Sequence, residues 1–317
     1  MISKKTTNAF APTLPPGLEK LLEDYQHHCR MNGLRKGSIA LYEKECRWFL
    51  HNLADSGCTD VTQITASRVI AACLALTSNS YLSTMRTFLR YCADSYQTDR
   101  DYSYVIPPYK RPQPMPSVYT EDEIRQIEIA IDRRTPVGKR DYAIVLLASR
   151  LGLRLEDIRT ISFDALDFEK DIIRLVQEKT LTGLELPIVP ELKAALLDYI
   201  QNGRPDVEGA VFRNSFLPYT QMTKHGVDAC FSRALRRTKI ERGDRGGGPR
   251  AFRSSLASSM VNDGVPYEAV RKALGHIDPN AIRHYARLDI ERLRVYALPI
   301  PEATGAFADF LAGRSAQ

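Results

Sequence analysis

Long hydrophobic runs are missing from this sequence. Its apolar stretches, that of Tyr142–Ser149 among them, fall far short of the roughly 20 residues that a membrane-spanning helix requires. No membrane partner is expected. The basic start, Met1-Ile2-Ser3-Lys4-Lys5, leads into no apolar segment, so it does not read as a secretory signal. Cysteine is sparse and unpatterned: Cys29, Cys46, Cys58, Cys73, Cys92 and Cys230 include no Cys-x-x-Cys pair. That spacing excludes a zinc ribbon and a disulfide scaffold, and points to free core thiols in a reducing compartment. Low-complexity tracts and internal repeats are also missing. With 44% hydrophobic and 26% charged residues, the composition excludes a disordered or collagen-like chain.

What is present is a 317-residue chain, enough for about two domains of roughly 100–200 residues each. Lysine and arginine total 44 against 38 acids, a net charge of +6. Of these, 14 basic and 10 acidic residues precede Pro116. This balance permits a polyanionic partner without requiring one.

The pattern along the chain is mainly helical. Residues 1–16 read as a loose polar arm. Leu18, Leu21, Leu22 and Tyr25 repeat at helical spacing, and Ser38 is placed to cap a second helix. A third helix is expected near Ala66–Leu76 and a fourth from about Asn79 to Tyr96, making residues 17–100 a small all-α module. Five prolines within 101–118 forbid a helix or central strand there and mark a semi-rigid linker. Thr120 and Glu123 form a capping-box pattern that opens a second domain over 119–295. Within it, Asp164–Pro190 alternates and carries β-branched residues, which suggests a short antiparallel strand set. Residues 296–317 form a tail. The fold class expected is therefore mainly α with a small antiparallel β-sheet.

Four segments carry chemistry. In Leu151-Gly152-Leu153-Arg154, an arginine follows a helix-ending Gly-Leu, and Asp157 lies three residues on. Gly33-Leu34-Arg35 repeats the tripeptide with Ser38 in the place of the acid, so the motif alone is no more specific than a surface ion pair. Gln177–Pro187 reads as strand, turn, strand with Lys179 at the tip, where a compact ammonium can reach into a cleft or simply face solvent. In Gly248-Pro249-Arg250-Ala251-Phe252-Arg253 two arginines stand three apart on one helix face, a spacing suited to gripping a phosphate. The Gly246–Gly248 run lacks the Lys-Ser/Thr of a nucleotide-binding loop. Finally, His276 follows Leu274-Gly275, and Tyr285 stands nine residues later. Taken singly, His276 reads as a helix-capping residue and Tyr285 as core.

Taken in order, Arg154, Lys179, Arg250-x-x-Arg253, Leu-Gly-His276 and Tyr285 resemble the catalytic set of the tyrosine recombinases, the phage integrase family that includes Xer and Cre. The resemblance spans about residues 17–290. It implies a helical, SAM-like core-binding domain followed by a mixed α+β catalytic domain. By position, Arg154 and Arg253 match the two arginines that bind the scissile phosphate. Lys179 matches the general acid toward the leaving 5′-oxygen, His276 the His/Trp position that hydrogen-bonds the phosphate, Tyr285 the nucleophile, and Asp157 the acid supporting the first arginine. One position departs: the family usually has His-x-x-Arg, and Arg250 replaces the histidine. An arginine cannot accept the tyrosine proton, although it can stabilise phosphorane charge and lower the phenol's pKa from about 10.

The resemblance further implies DNA strand breakage and rejoining through a 3′-phosphotyrosine, with no metal and no other cofactor. The implied partner is double-stranded DNA with paired inverted core sites, clamped between the two domains. A homo-tetramer would pass through a Holliday junction and exchange C-terminal tails through the face Phe307, Phe310 and Leu311. Arg86, Arg90, Lys110, Arg111, Lys224 and Arg237 are candidate DNA contacts, each also readable as a plain surface charge. The start of the helical module near residue 17 leaves no room for a lambda-type arm-site domain. The expected setting is the nucleoid-associated cytoplasm, in a transposon, phage or Xer-like resolution system. Two other readings are a DNA-binding protein on the same fold, impaired by Arg250, and a phosphotyrosine-forming nuclease such as a type IB topoisomerase or telomere resolvase.

Overall fold

The computed structural model describes residues 11–75, 80–95, 98–106, 118–278, 303–305, 308 and 311. Lys110, Arg111, Tyr285, Phe307 and Phe310 lie outside them. The chain divides into two compact units, 1–113 and 114–317, each with its own core.

In the first unit, the spacing of apolar residues builds four helices: α1 (Pro16–Met31), α2 (Lys36–Asp55), α3 (Ala66–Leu74) and α4 (Ser80–Asp94). Pro16 opens α1 at a position where its missing N–H costs nothing. Leu18, Leu22, Phe49, Leu53 and Phe88 are fully buried at the centre. Arg47 grips Glu19 by both nitrogens at 2.7 Å, tying α2 to α1. Ser38 is not the cap of α2: the helix starts at Lys36, with Arg35 as N-cap. The turn out of α1 sets this start. Gly33 adopts a left-handed φ of 72° and Leu34 N donates back to Cys29 O, so the chain already points along α2 before Ser38 is reached. Tyr102 and Ile106 also pack into this core. All six cysteines are free, and five of them are buried.

The second unit is built around α6 (Pro136–Leu151), whose Tyr142–Ala148 stretch is buried on every side. A helix apolar all round must be a core helix. It packs against α8 (Pro190–Asn202), α9 (Lys224–Arg236), α10 (Pro249–Asn262) and α5 (Glu121–Ile129). Both halves of the Thr120–Glu123 capping box are formed at the start of α5. A three-stranded antiparallel sheet, order β1 (Leu166–Asp167), β2 (Ile172–Val176), β3 (Gly183–Pro187), projects after α7 (Leu155–Thr160). Ile173 and Leu186 pair on its buried face, while Arg174 and Glu185 pair at 2.8 Å on the exposed face, which is the period of two that a half-buried strand requires. The fold is thus mainly α with a small antiparallel sheet. α11 (Tyr267–Ala273) follows α10 and shares a small core with it, formed by Ala257, Val261, Val270 and Leu274. Among the described residues no helix is long and apolar enough to cross a membrane.

Candidate active site

Four separate stretches of the second unit meet at one place: the end of α6, the β2–β3 turn, the first turns of α10 and the end of α11. α6 stops at Gly152, which has a left-handed φ of 61°, and the chain turns so that Arg154 becomes the N-cap of α7. A side chain at Gly152 would run into Leu274 and Leu256, so α10 and the end of α11 sit directly against this turn. The β2–β3 turn carries Gln177 to Thr182, with Lys179 exposed at its tip. α10 begins with Gly248-Pro249, leaving Arg250 exposed in its first turn and Arg253 buried one turn later. α11 ends in Leu274 and Gly275, the latter again left-handed at 60°, and His276 follows half-buried.

Main-chain carbonyls orient both phosphate-binding arginines of the sequence reading. Arg253 donates from Nη1 to Gly152 O at 2.5 Å and from Nη2 to Leu274 O at 2.6 Å. Arg154 donates from Nη2 to Gly275 O at 3.2 Å and from Nη1 to Gln177 Oε1. Burying a guanidinium costs several kcal/mol unless its donors are satisfied, and these carbonyls take up part of that cost. The two guanidiniums stand at the junction of α6, α10 and α11. Asp157 is buried, and its Oδ1 accepts from Glu178 N at 2.9 Å. The acid therefore fastens the lysine-bearing turn to α7 while its charge acts on Arg154 and Arg253 from nearby. Burial raises its carboxyl above the ordinary range, and the hydrogen bond from Glu178 with the two arginines acts against that rise.

His276 reports the field at this point. Its imidazole is pushed down to about 4, chiefly by burial and then by Arg253, Arg154, Arg271 and Lys179. At neutral pH the ring is uncharged and can donate one N–H and accept at the other nitrogen. Its position is fixed by Arg271, whose Nη1 donates to His276 O at 2.8 Å and to Ile277 O at 3.2 Å, while Glu268 holds the same guanidinium at 2.6 and 2.7 Å.

Arg154, Arg253 and His276, with Lys179 near enough to act on the ring, are thus brought together. Arg250 is on the same helix as Arg253 but differs from it: one faces solvent and the other is buried. The two do not form a single buried clamp: Arg250 stands in the exposed first turn of α10, and Arg253 lies one turn further in, where the chain is buried. Of the DNA-contact candidates, Arg86 is half-buried and Arg90 exposed on α4, and Arg237 is exposed at the end of α9. Lys224, exposed at the start of α9, bridges Glu156 at 2.9 Å. Gln177 and the carbonyls of Gly152, Leu274 and Gly275 were missed in the sequence. Their roles come from tertiary contacts, and only the position of Gln177 two residues before Lys179 hinted at it. Among the described residues no group of His, Cys, Asp and Glu is placed to hold a metal.

The site is thus a cluster of guanidiniums held around an imidazole, on a helical domain with a small sheet, a set of cations and donors whose chemistry suits an anion. Residues 117–292 match the phage integrase family. The protein named integrase/recombinase y4rA of Sinorhizobium fredii is 28% identical over 316 residues, covering 94% of this chain and 76% of its own length. Tyrosine recombinase XerD of Listeria monocytogenes is 24% identical over 294 residues, covering 87% of this chain and 97% of its own. Among solved structures, the Tn1549 transposon integrase in complex with a circular intermediate DNA superposes with a TM-score of 0.63 at 18% identity, over 86% of this chain and 99% of that one; at that identity the likeness is one of fold. This chain belongs to the phage integrase family and is a tyrosine recombinase.

Proposed function

We propose that this chain recombines duplex DNA at specific paired sites through a 3′-phosphotyrosine at Tyr285. The observation that carries the reading is the convergence of Arg154, Arg253 and His276 on one point, with Lys179 beside it, from four separate chain segments. Arg154 and Arg253 hold the nonbridging oxygens of the scissile phosphate and stabilise the charge that builds there. The Tyr285 oxygen attacks phosphorus and forms a P–O bond. The bond to the 5′-oxygen breaks, and that oxygen takes a proton from the Lys179 ammonium. Neutral His276 donates a hydrogen bond to the phosphate. The phenol proton leaves to solvent, since Arg250 cannot accept it; the Arg250 charge favours the phenolate. Attack by a partner strand's 5′-hydroxyl reverses the step and rejoins DNA, so the covalent intermediate keeps the energy of the bond. Asp157 supports Arg154 and holds the lysine turn.

The assembly proposed is a tetramer on two duplexes that passes through a Holliday junction. The arm, helical module, linker, catalytic domain and tail are assigned as in the sequence reading, and Arg86, Arg90, Lys110, Arg111, Lys224 and Arg237 contribute phosphate contacts. The setting proposed is the nucleoid.

The test is a suicide duplex whose half-sites are those this protein selects from randomised DNA, nicked so that the cleaved strand diffuses away. Wild type should give an SDS-stable protein–DNA adduct, and Tyr285→Phe should give none. Specific binding by wild type without an adduct would overturn the reading and favour a DNA-binding protein disabled by Arg250.

A further inference from the structure

Among the described residues of the second unit, Gln177 is a fully buried polar side chain that the proposed chemistry leaves unused. An uncharged amide at zero exposure is costly unless all its groups are bonded, and this one is bonded three ways. Oε1 accepts from Arg154 Nη1 and from Thr180 Oγ1 at 2.9 Å. Nε2 donates to Leu274 O at 3.2 Å, the same carbonyl that receives Arg253 Nη2. One amide therefore links the lysine-bearing turn, the first arginine, and the Leu274-Gly275-His276 turn. Its own main chain closes that hairpin: Gln177 N donates to Thr182 O at 2.9 Å, and Leu181 N donates to Gln177 O at 2.9 Å. Gly275 permits the approach, because a Cβ there would collide with the Gln177 amide.

The chemistry requires an amide. A carboxylate could accept from Arg154 but could not donate to Leu274 O, and would add a charge beside the cations that face the phosphate. A lysine could donate but not accept. Methionine, of similar length, would do neither.

We propose that Gln177 is a positioning residue that fixes the Arg154 guanidinium and the His276 turn in register with Lys179. The inference rests on the catalytic reading above, but one of its two tests does not. The first test is the titration of the His276 ring, followed by NMR in the full chain without DNA. With Gln177→Met, the Arg154 charge is no longer held near the ring, and with Gln177→Glu it is offset. In both variants His276 should protonate at a higher pH than in wild type. The second test is single-turnover cleavage of the suicide duplex at saturating protein. Displacing a positioned group by about 1 Å can cost about a hundredfold in rate, so Gln177→Met should cleave about a hundredfold more slowly while its affinity for the duplex stays within about threefold.

A merely structural role is tested with Leu196→Ala, a cavity variant at a fully buried position of α8 outside the hydrogen-bond network around Gln177. If Leu196→Ala lowers the melting temperature as much as Gln177→Met and slows cleavage equally, the positioning role is overturned. An unchanged His276 titration in both Gln177 variants would overturn it also. If wild type forms no adduct, the nucleophile assignment fails and the NMR titration alone decides the role of Gln177.

Discussion

His276 is held where protonation is unfavourable, and this has a consequence for stability that is separate from catalysis. A free imidazole titrates near 6.5, whereas burial and the neighbouring Arg253, Arg154, Arg271 and Lys179 bring this ring down to about 4. Between those values the unfolded chain binds a proton at His276 that the folded chain does not. Unfolding is therefore favoured by acid in this window: the stabilisation is complete above about pH 6.5 and is lost as the pH falls toward 4. Asp157 works the other way, since its raised carboxyl keeps a proton in the folded state, and a difference between two variants that both retain it removes its share. Urea midpoints measured between pH 7 and 4.5 should fall more steeply for wild type than for His276→Gln. Equal slopes would show that the ring is not held neutral. In the function proposed above, the same neutrality would shape the chemistry, because an uncharged ring adds a directed N–H where Arg154 and Arg253 supply positive charge.

At the scale of elements, the site is an arrangement of chain ends. The turn after α6 matters most, because Gly152 contributes a conformation, a close approach and a carbonyl together. Its φ of 61° is left-handed, which costs an L-residue roughly 1–2 kcal/mol. A Cβ would come within 2.6 Å of Leu274 Cδ2, and forcing atoms into a packed core costs roughly 1–3 kcal/mol more. Gly152→Ala should therefore lower the melting temperature by several degrees. It should also slow cleavage, since Gly152 O anchors Arg253 and Arg154 follows two residues later. Gly243→Ala is the comparison: that glycine is left-handed too, at 54°, but nothing lies within 4 Å of a Cβ. It should lose only the conformational share and keep its cleavage rate, and a loss in Gly243→Ala equal to that in Gly152→Ala would mean packing at this turn is unimportant. Much of this was readable in advance. Gly-Leu-Arg marked the end of α6, the Thr120–Glu123 box marked the start of α5, and the alternation around Lys179 marked the hairpin, because each is a local rule obeyed by neighbouring residues. The start of α2 was misplaced at Ser38 because a turn from the preceding helix decided it. Gln177 and the three anchoring carbonyls were not readable, since each acts across 21 to 121 residues of sequence and main-chain oxygens carry no residue signature.

At the scale of the whole molecule, the two cores make the chain a pair of separately packed units, and the tetramer proposed above requires copies of it to act together. The tail is the segment assigned to that task. Phe307, Phe310 and Leu311 repeat at the spacing of one helix face, and Leu311 is 63% exposed. If this face docks on a neighbouring copy, Phe307→Ser with Phe310→Ser should leave binding to a single site intact. Adduct formation at Tyr285 should also persist, because the cleavage residues all lie before the tail. What should be lost is the slower-migrating complex of two duplexes on a native gel, together with recombinant product. If the face instead packs on its own unit, the double substitution buries two hydroxyls in a core, and the cost falls on folding. The melting temperature and single-site adduct formation would then drop together, with no selective loss of the paired complex. The ratio of paired complex to single-site adduct separates the two arrangements, because a defect in folding lowers both quantities and a defect in docking lowers only the first.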